Sequence, residues 1–384
     1  MLFRFSSASC IFVYFVLLFT GCKENESNNF PIKIKVDPSS VDSIYDLSSS
    51  IDTFFYVNLE TSKESIITPD ALVEYSGDKI YMFDEMWGKS WCFDLKGKFL
   101  FSMFEKGRGP KEMDMPYSMY YDKQENQLLF VDRNRQCIHF VDSSGMYLKK
   151  VDVGVYVTFV SRIDSSSFII VCDGFVDANL LLTRDNFNTL ISTGIQLNNY
   201  STSLSAGACP FSNAPDGSVN FALGLYDTVC NFNSKELTYR YYIDFGKYSL
   251  PCEHKCQDAR SVFYIFKDNN NQYAGGINKF SETNRYIVFR FIYSSIQKRV
   301  YYLYDKLFAK GIVFKSISFH GYKLSGSWFK YTNGWYVGVV NSVEDNGVGD
   351  CNRIMSNKDK QFIDLLLQRD SKENPILFFY KFRS

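Results

Sequence analysis

The sequence predicts an all-β chain folded as a six-bladed β-propeller, on three observations. The first is composition: 36 Phe, 27 Tyr and 4 Trp stand among 384 residues, and aromatic side chains suit the half-buried face of a pleated strand. The second is an internal repeat. Residues 78–100 (DKIYMFDEMWGKSWCFDLKGKFL) align without a gap on residues 126–148 (NQLLFVDRNRQCIHFVDSSGMYL). Ile80 matches Leu128, Asp84 matches Asp132, Phe93 matches Val141, Asp94 matches Asp142, Gly97 matches Gly145 and Leu100 matches Leu148, every pair 48 positions apart. The third is a strong strand at the C-terminus, 374–382 (NPILFFYKF), with early strand candidates at 32–36 (IKIKV) and 54–59 (FFYVNL). A last strand paired with one from the other end closes a ring.

Each copy reads strand, turn at an Asp, strand, Asp-x-x-Gly turn, strand. In such a turn the carboxylate caps its own loop and glycine supplies the positive φ. Weaker copies follow at 165–173 with 180–192, at 219–233 with 237–246, and at 285–295 with 298–314; a sixth begins at 327–341. A period of roughly 40–50 residues is that of a four-stranded propeller blade. Each blade hides an apolar face only against its neighbours, so blades are stable together and not singly. About 330 residues at roughly 45 per blade also allow seven blades. Long segments near 196–216, 250–275 and 342–373 absorb the excess and favour six. A helix is expected before the last strand, over 356–369, with Ser356 as N-cap, Asp359 three residues on, and a stripe of Phe362, Ile363, Leu366 and Leu367. Residues 251–263 form a short helix or an ordered loop.

The N-terminus is of another kind. Arg4 precedes an apolar run at 10–19 (CIFVYFVLLF), too short to span a bilayer at about 20 residues but suited to the apolar core of a secretory signal. Thr20, Gly21 and Cys22 follow, an ending that resembles the bacterial lipobox, with Phe19 where Leu is usual. This predicts a signal peptide over 1–21, a lipidated Cys22 that anchors the chain to a membrane, a polar tether over 22–50 and a propeller over 51–384. Lys23, Glu24, Asn25 and Glu26 resemble the surface-export signal of Bacteroides-type lipoproteins. The expected location is the outer membrane with the domain exposed at the cell surface; a periplasm-facing domain is the alternative.

Lys and Arg total 42 and Asp and Glu total 42, with no basic block, so nucleic acid is excluded as a partner on electrostatic grounds. Eight of the ten cysteines lie beyond Cys22, most of them in apolar strands such as FIIVCD around Cys172, and buried free cysteine behaves as a small hydrophobe. The spacing Cys252-Glu253-His254-Lys255-Cys256 offers at most three zinc ligands where four are usual; neither metal nor cofactor is expected. The three histidines, His139, His254 and His320, sit in no nucleophile motif. The recurring Asp84, Asp94, Asp132 and Asp142 do the work of turns. For ligand contact the candidates are Lys106, Arg108 and Lys111, three cations in a glycine-rich loop, and Trp87, an exposed ring for sugar stacking. That loop is no nucleotide-binding loop, because Pro110-Lys111-Glu112 replaces the Gly-Lys-Ser/Thr that opens a helix.

Several segments resemble the six-bladed β-propeller lipoproteins of Bacteroides-type bacteria, related in fold to NHL-repeat propellers. They are 59–67 (LETSKESII), 97–113 (GKFLFSMFEKGRGPKEM), 226–233 (YDTVCNFN) with 241–251 (YYIDFGKYSLP), and 374–382. The resemblance implies a propeller over most of residues 50–384 and an association with surface nutrient uptake. The expected function is non-catalytic: binding of a glycan, a peptide or an uptake-system component on one propeller face. The alternative is a metal-assisted hydrolase or lyase, which requires His and Asp converging on the central channel.

Overall fold

Strand pairing divides the chain into six sheets, each a blade. The computed structural model describes residues 31–383 except 42–43, 69–70, 86, 105, 110–111, 115, 174–177, 198–208, 223, 225, 234–235, 256–263, 269–270 and 346–354. Blades 1 to 5 run in chain order over 72–101, 116–152, 157–197, 211–244 and 274–314. Blade 6 joins the two ends of the chain. Its strands Tyr322–Thr332, Trp335–Asp345 and Ile376–Phe382 are completed by Ile51–Asn58, in a register running from Ile376 opposite Asn58 to Phe382 opposite Ile51. The ring is thus six-bladed and closed as the terminal strands predicted.

The turns explain the 48-residue repeat. Asp94 Oδ1 accepts from the amides of Lys96 and Lys98, both at 2.9 Å. Asp142 Oδ1 does the same for Ser144 and Met146 at 2.8 and 2.9 Å. Asp84 and Asp132 accept from the amides of Trp87 and Arg135 at 2.9 and 3.2 Å. Gly97, at φ +84°, has a second duty: a Cβ there would collide with the carbonyl of Asn58 in the closing strand.

Packing between blades is aromatic. Trp91 and Phe93 of blade 1 meet Val57, Leu377 and Phe379 of blade 6. Tyr81 and Phe83 meet Leu128 and Phe130 of blade 2. The helix forms at Asn357–Gln368 with the expected capping box between Ser356 and Asp359. It seats Phe362, Ile363 and Leu366 beside Phe319 and Phe378, while Leu367 faces solvent. Residues Cys252–Lys255 make one helical turn. No helix among the described residues is long and apolar enough to cross a membrane. Cys22 lies outside the described residues.

Two expectations are corrected. The polar tether does not extend to residue 50. Ile32–Lys35 adds a fifth, parallel strand to blade 4, from Ile32 opposite Tyr241 to Lys35 opposite Asp244. Ile44–Asp46 pairs in parallel with Ser316–Phe319, and Ile34, Val36 and Leu47 are buried. The cause is the period-2 pattern of IKIK, which places Ile34 inward and satisfies a sheet edge that would otherwise be open. The strand candidate at 32–36 therefore belongs to blade 4 and not to the closing blade. Second, the segments set aside as insertions hold inner strands: Phe211–Asn213 lies within 196–216, and Ala274–Glu282 starts at the end of 250–275. The strong apolar runs by which strands are found lie in the middle strands of the blades, such as Lys79–Asp84 and Tyr286–Tyr293; the three-residue inner strand Phe211–Asn213 has none.

Two measurements test this closure. A chain beginning at Ile51 should keep a cooperative urea transition at a lower midpoint, whereas one beginning at Glu60 should lose it. Phe378→Ala, which removes a ring stacked on Phe362 at 4.7 Å, should cost about 3–5 kcal/mol in the same assay.

Candidate functional site

The up-and-down order of each blade sorts the loops into two ends. At one end lie the hairpins between first and second strands; at the other lie the turns between second and third strands and the connections between blades. The central channel opens differently at each. Its hairpin-end chamber has a volume of about 420 Å³ and is lined by residues such as Tyr121, Lys123, Asn213, Thr283 and Asn333. The connection-end mouth, about 240 Å³, is lined by Asp84 and Glu85 of blade 1, by Thr68 just before it, and by Lys279, Arg290 and Arg299 of blade 5. Cys209, Phe211, Ser212, Lys330 and Tyr331 line both and form the partition.

At the hairpin end charge is internally neutralised. Glu74 takes Lys330 Nζ at 2.7 Å and the Thr332 hydroxyl at 2.9 Å. Asp122 accepts the Arg162 guanidinium in a buried pair, Nε to both oxygens at 2.9 Å. Glu282 accepts from Tyr241 Oη at 2.7 Å and from Asn220 Nδ2 and Lys306 Nζ at 3.0 Å, with Arg240 Nε at 3.0 Å. Burial works to raise the Glu282 pKa, but the hydrogen bonds from Tyr241 and Asn220 and the charge of Lys306 outweigh it and hold the carboxyl below its ordinary value. These groups brace hairpins to one another across blades.

The connection-end mouth is built differently, on two bulged inner strands. Register shifts fall on either side of Asn278 in blade 5 and between Ser327 and Lys330 in blade 6. At the bulges Lys279 takes φ +50° and Phe329 φ +65°, the left-handed region that costs a non-glycine residue roughly 1–2 kcal/mol. Bulges re-aim side chains: here Lys279 lines the mouth, while the buried Phe329 ring packs on Tyr301 and Phe314 in the core. Lys279 Nζ donates to Ser327 Oγ at 2.5 Å, tying one bulge to the other. Arg290 Nε donates to Asn278 Oδ1 at 2.6 Å. Leu72, Val73, Phe280, Val337 and Val339 border the mouth on the apolar side. On blade 1 Asp84 accepts from the Thr68 hydroxyl and the Trp87 amide. Burial raises the Glu85 pKa against the pull of Arg133. Arg290, Arg299 and Ser327 also border an adjoining cleft of about 380 Å³ with Lys315, Lys323 and Glu344, of which Lys323 and Glu344 pair at 2.8 Å.

Of the residues singled out in the sequence, Trp87, Lys106 and Arg108 are not among those that line this mouth. Trp87 is 51% exposed, with Lys89 Nζ 5.3 Å from its ring centroid. The Lys106 side chain lies against Gly88, in the turn that carries Trp87, so these two candidates come together. Arg108 points to Asp114 at 3.7 Å, and Lys111 lies outside the described residues. The glycine-rich loop fills its own cradle. Gly109 N donates to Glu112 Oε2 at 2.7 Å, a Cβ on Gly107 would strike that carboxylate, and Arg135 clasps the carbonyls of Glu112 and Gly107 at 3.1 and 3.2 Å.

No described histidine lines either chamber. His320 Nε2 lies 3.3 Å from Asp359, and His254 faces Tyr273. His139 is buried in blade 2, its Nε2 3.4 Å from Cys137 Sγ and 3.8 Å from Asp132 Oδ2. That trio has the residue types of a metal site. Its carboxylate is already engaged by the amides of Asp114 and Arg135 at 3.0 and 3.2 Å, and burial pushes the Cys137 thiol up to about 12. Asp–His–Cys here braces the blade from within. The other described cysteines with determined side chains, Cys92, Cys172, Cys209 and Cys230, are free.

The residues missed from sequence are Lys279, Arg290 and Arg299. They lie in separate strands and form no motif. One signal was available: Arg290 interrupts the apolar run YIVFRFIY, and a charge buried in such a strand marks a specific role.

The fold and the mouth together define a closed six-bladed β-propeller with a charge-segregated channel opening. The chain belongs to the family described as Domain of unknown function (DUF4934), which it matches over residues 31–381; the match starts where the strand added to blade 4 starts. The same fold is found in a Bacteroides fragilis protein classed as exported, with a TM-score of 0.71 and 13% identity over 92% of this chain and 100% of that one. A member of the DUF4221 family from Bacteroides vulgatus follows with a TM-score of 0.50 and 11% identity over 87% and 97%. No curated protein matches the chain.

Lys279→Gly should unfold at higher urea than Lys279→Ala by about 1 kcal/mol, because both lose the ammonium and only glycine relaxes the backbone. Equal midpoints would show that the bulge carries no strain. For Glu282, a folded pKa below the unfolded one means stability that is present above the ordinary carboxylate range and lost as pH falls through it. Glu282→Gln should therefore flatten the acid limb of a stability-versus-pH curve and leave a lower plateau at neutral pH.

Proposed function

We propose that this is a non-catalytic lipoprotein of the cell envelope that binds a small ligand at the connection-end mouth of its propeller. The observation that carries the reading is the pair of linked bulges. Backbone strain persists where the surrounding structure enforces it, and it gathers at ligand sites. Here it sets Lys279 beside Ser327 at the cavity wall, while the Phe329 ring packs on Tyr301 and Phe314 in the core. A mostly apolar cavity with a few convergent polar groups is the usual form of a small-molecule site. The enzyme alternative finds no support in the described histidines, which lie away from the channel. Trp87 and Lys106, on loops at the same end of the ring, supply a rim that a glycan or peptide extending out of the mouth would meet.

The envelope location rests on the sequence of residues 1–26, with Cys22 as the acylated residue, and accords with the exported class of the Bacteroides fragilis protein. An outer-membrane anchor with the domain at the cell surface, beside an uptake-system component, is the arrangement the export signal favours. The segment from Cys22 to the first added strand is then a short leash.

Cys22→Ala should move the protein from the membrane to the soluble fraction with no change in urea midpoint; retention in the membrane would overturn the lipid anchor. Purified mature protein should bind on a glycan or peptide array, and Arg299→Gln, a change at an exposed residue of the mouth, should weaken the signal at least tenfold with no change in urea midpoint. An array signal that survives Arg299→Gln would place binding elsewhere.

A further inference from the structure

The opposite end of the ring carries an exposed apolar tip. We propose that the turn 305–310, between the third and fourth strands of blade 5, rests on the membrane with Leu307 and Phe308 inserted among the lipid acyl chains. The propeller then lies with its hairpin end toward the bilayer and its connection-end mouth turned away from it. This rests on the reading of Cys22 as the lipid anchor.

Three observations carry it. The first is exposure. Leu307 and Phe308 are adjacent and 70% and 68% exposed, the highest values among the described large apolar residues. The corresponding turn of blade 3 folds its ring inward: Phe187 is buried and stacks on Phe168 at 4.5 Å. In blade 5 the turn is fixed with both side chains outward. Asp305 Oδ1 accepts the amides of Leu307 and Phe308 at 2.9 and 3.4 Å. Arg285 grips Asp305 Oδ2 through Nε and Nη2 at 3.0 and 2.9 Å, and its guanidinium lies 5.5 Å from the Phe308 ring centroid. Exposed apolar side chains that stand together, unlike scattered ones, mark a surface that meets protein or membrane.

The second is where the chain enters, and it selects the membrane. The strand Ile32–Lys35 is parallel to Leu237–Asp244, the fourth strand of blade 4, which runs from the hairpin end toward the connection end. The start of the added strand is therefore directed to the hairpin end. It also lies beside the tip: Lys33 and Lys35 share a cleft of about 650 Å³ with Ala309, Gly311 and Ile312, and Tyr302 Oη donates to the Lys35 carbonyl at 3.1 Å. Cys22 and Ile32 are ten positions apart, at most about 35 Å at roughly 3.5 Å per residue. An anchor at Cys22 thus confines this corner of the ring close to the bilayer. Such a tether raises the effective concentration of the tip at the surface, so two side chains suffice to orient a domain that they could not hold alone. The third is charge. An apolar tip enters lipid readily only when no unpaired acid accompanies it. Asp305 is neutralised by Arg285, and Lys306 Nζ donates to Glu282 at 3.0 Å. Lys310, exposed, follows the tip, and its long stem lets the ammonium stay at headgroup level.

The test reconstitutes the mature acylated protein into vesicles of phosphatidylethanolamine and phosphatidylglycerol, with or without brominated acyl chains, and compares Phe308→Trp with the native chain. Bromine on the acyl chains quenches tryptophan that reaches their depth. Phe308→Trp changes an exposed ring and should keep the urea midpoint. The emission it adds over the native chain should fall by at least half in brominated vesicles. Native emission should fall by a much smaller fraction, because Trp87, the most exposed native tryptophan, stands at the connection end. Undiminished added emission from protein that floats with the vesicles would overturn this inference and leave the lipid anchor standing. Protein that does not float would overturn both. In detergent the protein should sediment as a monomer; a dimer that Leu307→Ser combined with Phe308→Ser converts to monomer would make the tip a contact between copies of this chain and overturn the membrane contact.

Discussion

Ring closure is the constraint on which the rest depends, and a single side chain concentrates it. Asn374, buried, precedes the last strand and faces the segment that leaves the first. Its Nδ2 donates to the carbonyls of Glu60 and Ser65 at 2.7 and 2.5 Å, its Oδ1 accepts the Ile67 amide at 2.9 Å, and its own amide donates to Thr61 Oγ1 at 2.8 Å. One amide thus joins parts of the chain more than 300 positions apart, alongside the pairing of 51–58 with 376–382. Contacts of such separation incur a large loop-closure entropy before they return any stability. Until they form, the apolar faces of blades 1 and 6 have no partner. The apolar layer of Trp91, Phe93, Leu377 and Phe379 therefore stabilises only the closed ring.

A closed ring can hold strained residues within its sheets. The left-handed Lys279 and Phe329 are each held between paired strands, and the same sheets supply the packing that keeps them there. The two ends of the channel then diverge in character. Acids at the hairpin end are saturated by partners from neighbouring strands and act as struts. At the connection end, charges of opposite sign line one mouth beside apolar neighbours. The first arrangement ties neighbouring blades together, and the second ties the bulge of blade 5 to that of blade 6 through Lys279 and Ser327.

The resemblance of blades 1 and 2 made the fold legible because it rests on local chemistry. An Asp that caps its turn and a Gly with positive φ leave the same imprint in each copy. Closure was legible from apolar strands at both ends, and the helix at 357–368 from its capping box and stripe. The short inner strand of blade 4 was hidden because channel-flanking residues need not be apolar. Residues 31–50 looked like a tether by composition, yet Ile34, Val36 and Leu47 find buried places. The candidate site was the least legible part. The glycine-rich loop with three cations looked inviting, and Glu112, three residues past Gly109, occupies it.

By itself the sequence determined the class of fold, the number of blades and how the ring is closed, because those follow from periodicity and turn chemistry, which are local properties of the chain. Only the tertiary structure decided which charged side chains gather at the connection-end mouth. Lys279, Arg290 and Arg299 meet because bulges and sheet register bring three strands to one corner, and a bulge is set by the pairing of a strand with its neighbours. No spacing along a single strand encodes that.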